Sequence, residues 1–164
     1  MIMVSLENGI ATTGGFACGR AFVMGHQRLS GLGYCFSASL PPLLAAAAIE
    51  ALKIIDGDQE LLSNLSTVSQ RVHDAIQEAT RDSEFILQGD PNSPLKFIRS
   101  KADDDAKLDN LVDKFMENGI VVTRSRFLDQ SEAFPVPKGI KVTCNAGWSN
   151  DEVEKIISSI KSTL

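Results

Sequence analysis

The sequence predicts an α/β chain whose C-terminal part is an α+β domain. Three observations lead there. From Asp58 onward, apolar residues at three- and four-residue spacing alternate with short extended runs, as in helices laid on one side of a sheet. From Leu40 to Leu52 the apolar residues fall on nearly every side of one helix, interrupted by Glu50, the pattern of a helix buried between layers. Ahead of that helix, two short extended runs flank a turn of small residues.

Taken in order, Ile2 to Leu6 reads as a short buried strand and Gly14 to Cys18 as a second. Phe22 to Leu29 has room for one or two helical turns before the Ser30-Gly31-Leu32-Gly33 breaker. Tyr34 to Ala38 follows as an extended piece. Ser39 is a candidate N-cap with Pro41 and Pro42 in the first turn, where a missing N–H costs little. This helix runs to about Asp56, and Gly57 suits the C′ position.

Asp58 can cap the next helix, whose apolar stripe is Leu61, Leu65, Val68, Val72, Ile76 and Ala79. Two short strands follow between Phe85 and Arg99, around Gly89-Asp90-Pro91-Asn92. Leu108, Leu111, Val112, Phe115 and Met116 mark an amphipathic helix ended by Gly119. Ile120 to Thr123 and Gly139 to Cys144 read as strands, separated by an irregular stretch from Arg124 to Lys138 with Pro135 and Pro137. A loop of that length is more often functional than decorative. Ser149-Asn150-Asp151-Glu152 has the form of a capping box, and its helix carries Val153, Ile156, Ile157 and Ile160 on one face.

Composition narrows the function. With 43% hydrophobic and 23% charged residues, the 164 residues suit an ordinary globular domain with a real core. The net charge of −5, with Lys and Arg scattered, argues against a nucleic-acid surface. Cys18, Cys35 and Cys144 are widely spaced and odd in number, which disfavours a disulfide framework or a zinc site and favours a reducing compartment. The Leu40–Leu52 run is too short to span a bilayer, and no signal peptide opens the chain. Because the chain begins inside what reads as a strand, it is expected to be a fragment with an N-terminal part missing.

Two motifs carry a resemblance. Ser5-Leu6-Glu7-Asn8-Gly9-Ile10-Ala11-Thr12-Thr13-Gly14-Gly15 resembles the cofactor-lysine region of the α-oxoamine synthases, T-[FL]-[SG]-K-[AS]-x-G-x-x-G-G. Phe36-Ser37-Ala38-Ser39-Leu40-Pro41-Pro42 resembles their later F-[ST]-[TN]-S-x-P-P. That family belongs to the fold-type I enzymes dependent on pyridoxal phosphate. From Ser5 to Leu52 the chain is similar to one branch of it, the non-catalytic long-chain-base subunits of serine palmitoyltransferases, and a weaker collinear likeness continues to the C-terminus.

The resemblance implies the C-terminal part of an aminotransferase-like fold. Residues 1–40 would be a remnant of the large domain, 41–57 a buried connecting helix and 58–164 the small αβ domain. It implies a subunit of a complex that condenses L-serine with palmitoyl-CoA to 3-ketosphinganine, the first step of sphingolipid biosynthesis. A homologous catalytic subunit would complete a heterodimer and hold the pyridoxal phosphate covalently. The complex would sit at the cytosolic face of the endoplasmic reticulum membrane, anchored through the missing N-terminal region.

Individual residues follow from the same likeness. Asn8 falls where the family's cofactor lysine stands, and the first lysine of the chain is Lys53. An amide is not basic and cannot condense with an aldehyde, so Asn8 leaves this chain without the catalytic amine. Ser37 and Ser39 match a hydroxyl-bearing segment that, in the family, reaches the partner's cofactor phosphate. Ala38 stands where threonine is common. Lys141 matches the arginine that catalytic relatives use for the substrate carboxylate, but offers a point charge in place of a bidentate fork. Trp148 stands where those relatives often carry histidine.

Blander readings apply elsewhere. His26 packs or hydrogen-bonds locally, His73 lies on the polar side of its helix, and Asp103-Asp104-Asp105 is a helix start rather than a metal site. The main rival is a self-sufficient, pyridoxal-phosphate-dependent α-oxoamine synthase homodimer, against which Asn8 counts. A generic αβ interaction domain is the other, against which the dense match from Ser5 to Leu52 counts.

Overall fold

The computed structural model describes residues 1–126, 131–134 and 137–164. They form two compact units, Met1–Gln59 and Glu60–Leu164.

In the first unit, β1 (Ile2–Ser5) and β2 (Gly15–Cys18) make an antiparallel ribbon with Ile2 opposite Cys18 and Ser5 opposite Gly15. Both strands are exposed along their length, although burial was expected. A two-stranded ribbon has no second layer of its own, and only Leu6, just past β1, is shielded at 1% exposure. Helix α1 (Ala21–Ser30) closes as the Gly31 N–H donates to the Gln27 carbonyl at 2.8 Å. The expected extended piece at Tyr34 is instead a single turn, α2 (Leu32–Cys35). Glycine weakens a helix by only about 1 kcal/mol, and no proline intervenes before Pro41, so nothing forbids another turn.

Helix α3 (Pro42–Gly57) starts later than expected, with Pro41 rather than Ser39 at the N-cap. Pro42 at the first helical position forces its predecessor out of the helical region, and Pro41 accordingly has φ −56° and ψ 140°. Its carbonyl accepts from the Leu44 and Ala45 N–H groups at 3.0 and 3.1 Å. Gly57 is the last helical residue and Asp58 the C-cap, so glycine does not serve as C′ here. Along α3 only Ala48 is buried in this chain, and Leu43 is 78% exposed.

The second unit is a four-stranded antiparallel sheet backed by helices. It comprises α4 (Gln59–Thr80), β3 (Phe85–Gln88), β4 (Leu95–Ser100), α5 (Asp105–Glu117), β5 (Thr123–Ser125), β6 (Gly139–Thr143) and α6 (Asn150–Thr163). Strand order is β3-β4-β6-β5. Ile98, Ile140, Val142 and Cys144 on the inner face meet Val72 and Ile76 of α4, Leu108, Leu111 and Phe115 of α5, and Val153 and Ile160 of α6. Each such side chain contributes about 1.5–3 kcal/mol on burial. The stripe read for α4 is the one that packs, with Val68, Val72 and Ile76 buried and Leu65 and Ala79 half-buried.

Helix ends explain the connections. Asp104 caps α5, its Oδ1 accepting from the Ala106 N–H at 2.9 Å, so the acidic run is a helix start as read. At the other end Gly119, with φ +75°, occupies the left-handed C′ position. The Gly119 N–H donates to the Met116 carbonyl and the Ile120 N–H to the Phe115 carbonyl, both at 2.9 Å, a Schellman closure. That closure turns Ile120 back toward α5, and the expected strand from Ile120 begins only at Thr123. The irregular stretch expected from Arg124 therefore opens with β5, and its residues 127–130, 135 and 136 lie outside the described residues. Ser149 and Glu152 form the capping box of α6 reciprocally, Glu152 N–H to Ser149 Oγ at 3.3 Å and Ser149 N–H to Glu152 Oε2 at 2.8 Å.

Candidate functional site

In the first unit the turn between β1 and β2 is shut at its base. The Leu6 N–H donates to the Gly14 carbonyl at 3.0 Å and the Thr12 N–H to the Leu6 carbonyl at 3.1 Å, with Leu6 held inside. Asn8 stands exposed within this turn. Gly14 has φ +92°, and a side chain there would collide with Leu40 Cδ1 at 2.6 Å. The end of the Asn8 turn thus lies directly against Leu40, beside the Ser37-Ala38-Ser39 segment. Ser37 and Ser39 are both exposed, and neither hydroxyl caps α3.

No amine stands in this turn. Lys53, the first unit's only lysine, is on α3 and pairs with Glu50 at 3.3 Å. The turn itself therefore offers no amine with which an aldehyde cofactor could condense. What the turn offers is an exposed amide at Asn8, and its far end, Gly14, meets Leu40.

In the second unit Lys141 is half-buried in the middle of β6, opposite Phe97 of β4 and Thr123 of β5. Its neighbours Ile140 and Val142 enter the core, so Lys141 stands on the sheet face turned away from the helices. Trp148 lies in the turn before α6 and packs against the helix-side core. Lys141 and Trp148 therefore do not share one face.

One polar cluster was missed in the sequence. Lys96 is fully buried on the inner face of β4, and its ammonium donates to the carbonyls of Asp90, Pro91 and Ser93 at 2.7, 2.9 and 2.5 Å. Burial pushes its pKa down. His73, expected on a polar face, is buried at 7% exposure, and burial together with the Lys96 charge lowers its pKa. Burial in turn raises the Cys144 thiol, which belongs to the same core. An apolar neighbourhood around a lysine whose every donor is used makes this a clamp on the β3–β4 turn rather than a reactive site. Lysines are almost never buried without such partners. The one available signal was Lys96 alternating with Ile98 and Ser100 on one strand face.

Arg124 of β5 is also nearly covered, its side chain 9% exposed, and pairs with Asp105 and Asp109 of α5. Lys138 shares Asp105 and, with Arg124, holds that carboxyl below its usual range. These pairs tie the edge strand to α5. Among the described residues no cluster of three His, Cys, Asp or Glu could hold a metal, and no helix is long and apolar enough to cross a membrane.

Comparison with known proteins agrees with the fold. The chain is similar to serine palmitoyltransferase 1 of Dictyostelium discoideum, 30% identical over 96% of this chain and 35% of that one. It is 34% identical to long chain base biosynthesis protein 1 of Arabidopsis thaliana over 98% of this chain and 34% of that protein. It thus spans about a third of the length of these curated relatives. Among solved structures, Sphingomonas wittichii serine palmitoyltransferase superposes with a TM-score of 0.78 at 22% identity, over 98% of this chain and 38% of that one. A high-resolution structure of SPT with PLP gives 0.78 at 17% identity over the same shares, 98% and 38%. The model of the aminotransferase class I and II family matches residues 2–160. With that match over nearly its whole length, the chain belongs to the aminotransferase class I and II family.

Proposed function

We propose that this chain is part of the non-catalytic long-chain-base subunit of a serine palmitoyltransferase. In this reading the complex condenses L-serine with palmitoyl-CoA in the first step of sphingolipid biosynthesis. A homologous catalytic subunit holds pyridoxal phosphate on its own lysine, and this chain builds the other half of a pseudo-symmetric dimer interface. The complex works at the cytosolic face of the endoplasmic reticulum membrane. Asn8 carries the proposal, being an exposed amide in the turn where the family's motif has its lysine. The names of the relatives support it.

Ser37 and Ser39 support the partner half of the reading. Their hydroxyls are exposed and free of the capping role that would otherwise account for them. We assign them to the phosphate of the partner's cofactor, and Lys141 to a substrate carboxylate. Hydrogen bonds to a charged group contribute about 1.5–3 kcal/mol each, so losing both serines should weaken cofactor retention at least tenfold with the heterodimer intact.

The test is borohydride reduction of the complex with pyridoxal phosphate, followed by peptide mapping. Label is expected on one lysine of the catalytic subunit and none on this chain. A stoichiometric phosphopyridoxyl group on any lysine of this chain, or failure to co-purify with a lysine-bearing homologue, would overturn the reading.

A further inference from the structure

Where β5 and β6 part, the second unit opens a cavity of about 290 Å³. Thr123 is paired with Lys141, and one more antiparallel step would set Val122 against Val142. The ladder ends instead at Thr123, because the Ile120 N–H is committed to the Phe115 carbonyl of the preceding helix. The wedge left between the strands is lined by Val122, Val142, Trp148 and Ile156, with Glu152 and Lys155 among its polar residues.

The two charges differ in what they already do. Glu152 Oε2 accepts from the Ser149 N–H and Oγ at 2.8 and 2.9 Å, so the carboxylate keeps its negative charge but is held in place by the capping box. The Lys155 ammonium lies over Gly119, where an added Cβ would sit 3.5 Å from it. The α5 carbonyls beneath are taken by the Schellman closure, and Lys155 makes no ion pair or hydrogen bond among the described residues. The apolar wedge therefore has at its mouth a lysine that pairs with none of the described residues, beside a carboxylate held by the capping box.

We propose that this wedge is a binding site for a small amphipathic carboxylate, its apolar part between Val122, Trp148 and Ile156 and its carboxylate on Lys155. The volume falls at the lower edge of ligand cavities, about 300–1,000 Å³. It accommodates a short alkyl chain or a single ring rather than a long acyl tail. The site belongs to the second unit alone and is independent of the cofactor reading above.

Trp148 is the only tryptophan of the chain, so its fluorescence reports the site directly. The experiment titrates the full chain with sodium octanoate and, in parallel, with 1-octanol. Octanoate should change the emission saturably, with octanol at least several-fold weaker. Lys155→Gln should weaken octanoate about tenfold, the loss of one ion-pair-strength contact of about 1.4 kcal/mol, and Lys155→Arg should restore it. Lys155 is exposed, so the substitution leaves the core untouched. No saturable response to octanoate overturns the proposal. So does equal affinity for octanol, or an octanoate affinity unchanged in Lys155→Gln.

Discussion

The two units reach their structures by different routes. Of the 16 buried hydrophobic residues among those described, 14 lie in Glu60–Leu164 and only Leu6 and Ala48 in Met1–Gln59. The first unit has helices and a ribbon without a core, and its order comes from local rules: a hydrogen-bonded turn, a proline at the start of α3, glycine at the end of α1. In the second unit the same kinds of local signal are reinforced by packing on three helices. The contrast separates what makes an element from what stabilises a fold. Leu43, Ile49, Leu52 and Ile54 of α3 remain exposed although the helix forms.

The most direct way to break this comparison is truncation of one phenylalanine in each unit. Phe115→Ala, at 1% exposure, should cost about 3–5 kcal/mol, measured by urea denaturation. Phe22→Ala, at 86% exposure on α1, should stay within about 0.5 kcal/mol. Equal losses would mean that the first unit has a core after all.

How much was legible follows the same line. Features set by neighbouring residues could be read: the stripe of α4, the Asp104 start of α5 and the Ser149–Glu152 box. Where two local rules competed, the reading failed. Ser39 is a good cap, yet Pro42 moves the start to Pro41. Ile120 suits a strand, yet the Gly119 closure claims its N–H. Features set across the sheet were hidden. Leu95-Lys96-Phe97-Ile98 offers apolar residues on both faces, and the register of β4 against β6 decides that Lys96 and Ile98 go inside. The site divides in the same way: the Asn8 turn was visible as a motif, whereas Lys96 and His73 become a cluster only in three dimensions.

Lys96 sharpens the comparison at intermediate size, because it is a polar element placed wholly by packing. Lys96→Met keeps the stem and removes a charged donor from three carbonyls. Hydrogen bonds to a charged group are worth about 1.5–3 kcal/mol, but relief of the buried charge offsets part of that, so a net loss of about 1–3 kcal/mol is expected. Amide exchange should accelerate chiefly in the turn from Asp90 to Ser93. A variant as stable as the parent would show that the clamp is dispensable.

The smallest effect expected is a pH dependence that only a packed unit can produce. Burial, and next the Lys96 charge, hold the His73 pKa below its ordinary 6.5, while Asp74 and Asp90 partly oppose the shift. The unfolded chain therefore binds a proton near pH 6.5 that the folded chain still refuses. The neutral imidazole's contribution is fully present above that pH and is lost as pH falls through it toward the lowered folded value. Each pH unit in this window changes stability by at most about 1.4 kcal/mol. Urea midpoints measured from pH 8.5 down to 5.5 should fall more steeply below pH 7.5 for the parent than for His73→Gln, and the two slopes should match above pH 7.5. Parallel curves throughout would place His73 in a wetter setting than its 7% exposure describes, and would weaken the contrast between the two units.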